Sequence, residues 1–177
     1  GLAPEPSAVT RWRTCLHEAG HAVAGRLMLQ RSATAVVYDD DHGAAYLDID
    51  GTPRKFEEAL AVAAGPEAEA LADIHAPPPT PPPAPLVVTH PRGTAPLIAQ
   101  IRESLPDAVV IARWCIRGIE NQPDRWAKRH CWIHHEARFF VGQHQHEIVD
   151  VAMRLFANCV ITLPGETERK SPPDDLT

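Results

Sequence analysis

Two histidines four residues apart, with a glutamate beside the first, are the residues in this chain best suited to chemistry. They are His17, Glu18 and His21, in the sequence HEAGH. Residues i and i+4 share one face of a helix, so both imidazoles reach a single metal ion. Glu18 is offset by one position. This places its carboxylate beside the ion, where it can take a proton from a polarised water.

This spacing predicts a zinc site. In the His-Glu-x-x-His pattern the histidines bind zinc, which lowers the pKa of a water towards about 7, and the glutamate acts as the general base of a metallopeptidase. The alternative is a surface helix that carries these three residues by chance. In a chain of this length and composition, the His-Glu-x-x-His pattern should occur by chance roughly 0.04 times. Apolar neighbours and two nearby glycines, Gly20 and Gly25, favour the zinc site.

The elements that would position the motif are mainly helical. The motif helix is predicted from residue 9 to about 29, and two β-type runs at 34–38 and 44–49 predict a hairpin. Further helical patterns cover 56–74 (interrupted at Gly65-Pro66), 93–105, 107–119, 124–141 and 147–162. The predicted fold class is mainly α with a small β element, with the motif on a central helix.

The predicted organisation is a single domain, residues 9–164, between a flexible arm at 1–8 and a flexible tail at 165–177. A proline-rich insertion at 76–93 interrupts it, with seven prolines among the ten residues 76–85. Proline cannot donate the hydrogen bonds of a helix or a sheet. The length of the insertion is typical of a flap or of a docking segment for a protein partner.

Composition excludes several classes of function. The formal net charge of −6 disfavours a nucleic-acid binder. No apolar run approaches the roughly 20 residues of a membrane span, and no secretory signal is visible. The four cysteines are widely spaced, without a CxxC pair, which is typical of reduced thiols. We therefore expect a cytoplasmic protein.

The residues around the motif resemble a known family. Residues 15–25, CLHEAGHAVAG, are similar to the peptidase domain of FtsH-type ATP-dependent zinc proteases, here without the ATPase module. The following order is also similar: two short strands, then an alanine-rich helix at 61–71 that ends in acidic residues. The resemblance is strong over about 11–72. It implies a zincin-like metallopeptidase domain that uses Zn²⁺ and acts on protein or peptide substrates.

The resemblance also implies a third zinc ligand, an aspartate at the start of the next helix after a turn of small residues. The matching stretch, 92–100, contains no aspartate or glutamate, and Pro96, Leu97 and Ile98 stand there instead. Three alternatives remain. His90 is the nearest in sequence and is the first candidate, and an exposed loop histidine before Pro91 is an equally good interpretation of it. Asp73 or His75 is the second candidate, and no third protein ligand is the last alternative.

Two functions from different classes follow from these observations. The first is a zinc metallopeptidase with Glu18 as general base. The second is a catalytically degenerate relative that keeps the fold as a binding or regulatory module, with the proline-rich segment as its docking element. The missing acidic ligand favours the second function, and the presence of Glu18 favours the first.

Two other clusters contain metal-binding residue types. Residues 130–146 hold five of the ten histidines, and Cys131 and His135 are four apart. The favoured interpretation is a histidine-rich helix that faces solvent or lines the cleft, because its spacing matches no known site.

Three consecutive aspartates follow the first β-type run, at Asp39, Asp40 and Asp41. The other positions of a twelve-residue calcium loop are missing, so this stretch predicts a solvated hairpin tip.

We expect close to one zinc ion per chain, and we expect His17→Ala or His21→Ala to remove it. The reason is that a single remaining imidazole from this helix cannot chelate the ion. Elemental analysis of the purified proteins tests this. Equal zinc content in the wild type and in the variant that carries both substitutions would contradict this prediction.

Overall fold

The computed structural model describes residues 3–47, 53, 55–79 and 106–165. A 3₁₀ helix covers Glu69–Asp73. The helices and strands, in chain order, are α1 (Pro6–Leu29), β1 (Ala33–Val37), β2 (Gly43–Tyr46), α2 (Phe56–Ala68), α3 (Asp107–Ile116), α4 (Pro123–Gln143), α5 (Gln145–Asn158) and β3 (Val160–Leu163). The predicted fold class, mainly α with a small β element, is confirmed.

Helix α1 lies at the centre of the core. Trp12, Leu16, Ala19 and Val23 recur at helical spacing and are all buried. The helix packs most extensively against α2 and α5. Helix α2 is buried along its whole central stretch, 59–65, where every residue is apolar or glycine. The HEAGH motif therefore lies on the central helix, where Gly20 and His21 face α2.

Glycine at position 20 allows α1 and α2 to approach closely. A Cβ atom at Gly20 would lie 2.6 Å from the carbonyl oxygen of Ala64 and 2.6 Å from the Cβ of Ala68. Real Cβ atoms do not come so near to backbone, so only glycine fits between these helices without a shift. This contact sets the distance between the motif and the residues of α2.

The sheet has three antiparallel strands in the order β2-β1-β3. The predicted hairpin is present, with Val37 of β1 opposite Gly43 of β2. Strand β3 was predicted as the end of a helix at 147–162, and that part of the prediction is wrong. Helix α5 ends before Cys159, which has a left-handed φ of 64° and donates its N–H to Leu155 at 2.8 Å. The β-branched residues that follow pair with β1.

Other predicted boundaries differ by a few residues. Helix α1 begins at Pro6, within the predicted arm, and α2 continues through Pro66 to Ala68. The insertion from residue 80 onwards, the predicted helix at 93–105 and the tail from 166 lie outside the described residues. Among the helices described, none combines the length and the apolar character needed to cross a membrane.

We expect Gly20→Ala to lower the free energy of unfolding by about 2 kcal/mol, because the new methyl group would force α1 away from α2. Gly142→Ala is the matched control. It lies near the end of α4, and a Cβ there meets nothing within 4 Å. It should be neutral or stabilise by up to about 1 kcal/mol. Urea unfolding measures the free energy of unfolding of both variants. Equal changes in Gly20→Ala and Gly142→Ala would contradict the packing argument.

Candidate metal centre

Two histidines of α1 and one aspartate of α3 converge on a single point. The Nε2 atoms of His17 and His21 each lie 2.8 Å from Oδ2 of Asp107, and 3.1 Å from each other. Asp107 is the first residue of α3, directly after Pro106. These three residues form a group whose candidate ligand atoms lie close enough together to hold a metal ion.

The three ligand atoms suit zinc. Tetrahedral ligands about 2.0–2.1 Å from zinc lie about 3.3 Å from one another. The observed separations of 2.8, 2.8 and 3.1 Å need only a small expansion to reach that spacing. Two imidazoles and one carboxylate are also the ligand types of a catalytic zinc site, in which a fourth position stays open.

The other nitrogen of each histidine is held by α2 or by the 3₁₀ helix that follows it. Nδ1 of His17 lies 2.6 Å from Oε1 of Glu69, and Nδ1 of His21 lies 2.9 Å from the carbonyl oxygen of Ala61. Both oxygens accept, so we assign the proton of each ring to Nδ1. In the neutral rings this leaves both Nε2 lone pairs available to a metal ion, and the hydrogen bond at Nδ1 orients each ring.

The electrostatics of the cluster favour a positive charge at its centre. Burial lowers the pKa of His17, but hydrogen bonds with Asp107 and Glu69 outweigh it and raise the pKa to about 10. Burial raises the pKa of Asp107, but His21 and His17 together bring it well below its usual range. A carboxylate that stays ionised between two imidazoles provides a site for a cation.

Glu18 lies beside this cluster without belonging to it. Its side chain is buried, and its Oε2 atom has no hydrogen-bond partner among the described residues. Burial is the main cause that raises the pKa of Glu18 to about 7, while His21 and His17 act in the opposite direction. An unpaired buried carboxyl oxygen costs free energy. Its place next to a metal-ligand cluster gives that cost a functional reason.

Two glycines make room for the polar side chains. A Cβ at Gly65 would lie 2.2 Å from Nε2 of His21, and a Cβ at Gly43 would lie 2.7 Å from Cγ of Glu18. Gly65 was interpreted from sequence only as an interruption of a helix. In the structure it is the position where α2 leaves space for the metal-facing nitrogen of His21.

The sequence analysis does not include Asp107 among the candidate third ligands, although a signal is present in the sequence. The family pattern asks for an aspartate at the start of the next helix, and 107 is the first residue of the helix predicted at 107–119. The structure also describes two other candidates for the third ligand, Asp73 and His75, and both contact other residues. Asp73 pairs with Arg13 at 3.1 Å, and Nε2 of His75 lies 3.4 Å from Oε1 of Gln145.

His90 lies outside the described residues, and its role as third ligand stays a prediction.

A second group with metal-ligand atoms close together is formed by Asp39, Asp41 and His42. Oδ1 of Asp39 accepts the backbone N–H groups of Asp41 and His42, at 3.1 and 2.9 Å. This agrees with the predicted hairpin tip, where an aspartate side chain caps the turn.

Comparison of the chain with protein-family models, with curated proteins and with solved structures gives no significant match in any of the three. The case for a function therefore depends on the geometry and chemistry of the residues themselves.

We expect Asp107→Ala to raise the Kd for zinc at least about 100-fold, because one of three protein ligands is lost. Glu69→Ala should raise it about 10- to 100-fold, since His17 loses the carboxylate that orients it. His90→Ala is the comparison variant: if Asp107 is the third ligand, this variant should bind zinc within about twofold of the wild type. Zinc titration against a competing chelator measures all three. Loss of zinc in His90→Ala with retention in Asp107→Ala would assign the third ligand to His90 instead.

Proposed function

We propose that this protein is a zinc metallopeptidase with a zincin-like site. Zinc is held by His17, His21 and Asp107, and Glu18 is the general base. One observation carries the proposal: three ligand atoms converge within 3.1 Å of one another beside a buried glutamate whose Oε2 has no partner in the described structure. A chance arrangement of surface histidines would not place an unpaired carboxyl group in the interior next to them.

The chain's own residues account for the proton transfers of hydrolysis. Zinc, when bound, makes water acidic enough to act as a nucleophile near neutral pH and polarises the carbonyl of the peptide bond. Glu18 accepts the proton that the water loses as its oxygen bonds to the carbonyl carbon. It then returns a proton to the amine as the C–N bond breaks. Burial disfavours the charged form of Glu18, so this carboxyl group readily holds the proton before it passes to the amine.

The position of β2 supports an extended peptide as substrate. The strand lies at one edge of the described sheet and pairs with β1 on its other side. Its first residue, Gly43, packs against Glu18. A peptide that adds to this edge by main-chain hydrogen bonds would carry its scissile bond past the general base. This mode of binding reads backbone rather than side chains, so it suits unfolded segments of proteins.

The resemblance to FtsH-type peptidase domains supports the same proposal. The family pattern has an aspartate ligand at the start of a helix, and Asp107 stands at such a position in the structure. The case for a degenerate binding module began from the absence of an acidic group at 92–100. With Asp107 beside both histidines, that reason no longer favours the module over the enzyme.

We expect Glu18→Gln to keep its zinc and to lose peptide hydrolysis at least about 100-fold, because the amide cannot take a proton. Glu120→Gln, which changes an exposed glutamate between α3 and α4, is the matched control and should cleave at the wild-type rate. Cleavage of casein or of a fluorogenic peptide library is measured together with zinc content. Wild-type activity in Glu18→Gln would exclude the proposed mechanism. Zinc binding without any hydrolysis in the wild type would favour the binding module.

A further inference from the structure

A second pair of histidines with helical spacing lies on α4. The ring centroids of His130 and His134 are 4.6 Å apart. Those of His17 and His21, the pair in the metal centre, are 4.8 Å apart. The two pairs therefore place their imidazoles at nearly the same separation, on the same i, i+4 spacing. Such a pair on a helix can chelate one metal ion.

A carboxylate orients one histidine of the second pair, as one does in the first pair. Nδ1 of His134 lies 3.0 Å from Oε1 of Glu67, just as Nδ1 of His17 lies 2.6 Å from Glu69. The Glu67 side chain is only 15% exposed, and its Oε2 accepts a hydrogen bond from Arg138 at 3.1 Å. The ring of His134 is thus fixed from its Nδ1 side, which leaves Nε2 as the atom available to a metal.

The surroundings of this pair select the kind of ion. An open groove on this side of α4 is lined by His130, Cys131, His134 and His135, together with Glu67 and others. Imidazole nitrogens suit zinc, copper and nickel, whereas calcium and magnesium require oxygen ligands. Among the described residues that line the groove, Glu67 is the only carboxylate, and it is already engaged by His134 and Arg138.

We propose that His130 and His134 form a second metal site, for a divalent ion of the zinc, copper and nickel class, with Glu67 as the residue that positions His134. The site has two protein ligands and leaves its other positions to water or to a ligand from another molecule. It therefore binds more weakly than the three-ligand centre at His17, His21 and Asp107. The inference does not rest on peptidase activity.

Calorimetric titration of the whole protein with Zn²⁺ tests the site. We expect a tight event followed by a weaker second event in the wild type. His130→Ala and His134→Ala should each weaken the second event at least tenfold and leave the first unchanged. Glu67→Ala should weaken it about tenfold, as expected when a carboxylate that orients a ligand is lost.

Three control variants test whether neighbouring groups, rather than the pair, bind the second ion. His146→Ala removes a histidine of α5, Cys131→Ser removes the exposed thiol, and Arg138→Gln removes the charge beside Glu67. Each should keep the second event. The proposal is overturned if the wild type shows no weak event, if the weak event survives in the double variant at 130 and 134, or if any control abolishes it. If the wild type shows a single weak event and His130→Ala removes it, this second site is supported. The same result would contradict the metal centre at His17, His21 and Asp107.

Discussion

The close approach of α1 and α2 is the constraint on which the candidate metal centre depends. Gly20 lets α1 lie against the backbone of α2 at Ala64, and Gly65 leaves space for the imidazole of His21. At this distance α2 supplies the carbonyl oxygen of Ala61 to His21, and the 3₁₀ helix that follows supplies Glu69 to His17. Side chains between these helices would separate the histidines from the groups that orient them.

The packing of small residues has an electrostatic consequence. It surrounds His21 and Glu18 with apolar atoms, so their charges are poorly solvated and their interactions with each other are strong. Asp107 stays ionised because the two imidazoles face it, and Glu18 holds its proton more tightly because burial disfavours its charge. One cluster therefore contains an ionised carboxylate suited to a cation and, beside it, a buried carboxyl group suited to exchange a proton.

The two histidine pairs differ in burial, and the two proposed sites should differ in affinity accordingly. His17 and His21 lie between two helices, and a third ligand reaches them from α3. His130 and His134 have the same spacing and a similar carboxylate, but His130 is exposed on an open face of α4. Spacing along a helix provides the chelating pair in both places. The number of helices that meet at the pair determines how many protein ligands it gains.

The sequence by itself determined what depends on short-range spacing. The helix that carries His17, Glu18 and His21, the hairpin and the predominance of helices all follow from periodicity and turn residues within a few positions. Only the tertiary structure decided that Asp107, which lies 90 residues after His17, completes the cluster. It also decided that residues 160–163 form a strand, since their partner β1 lies more than 120 residues upstream. The physical reason is that packing between distant elements sets such contacts, and no local pattern records which elements will meet.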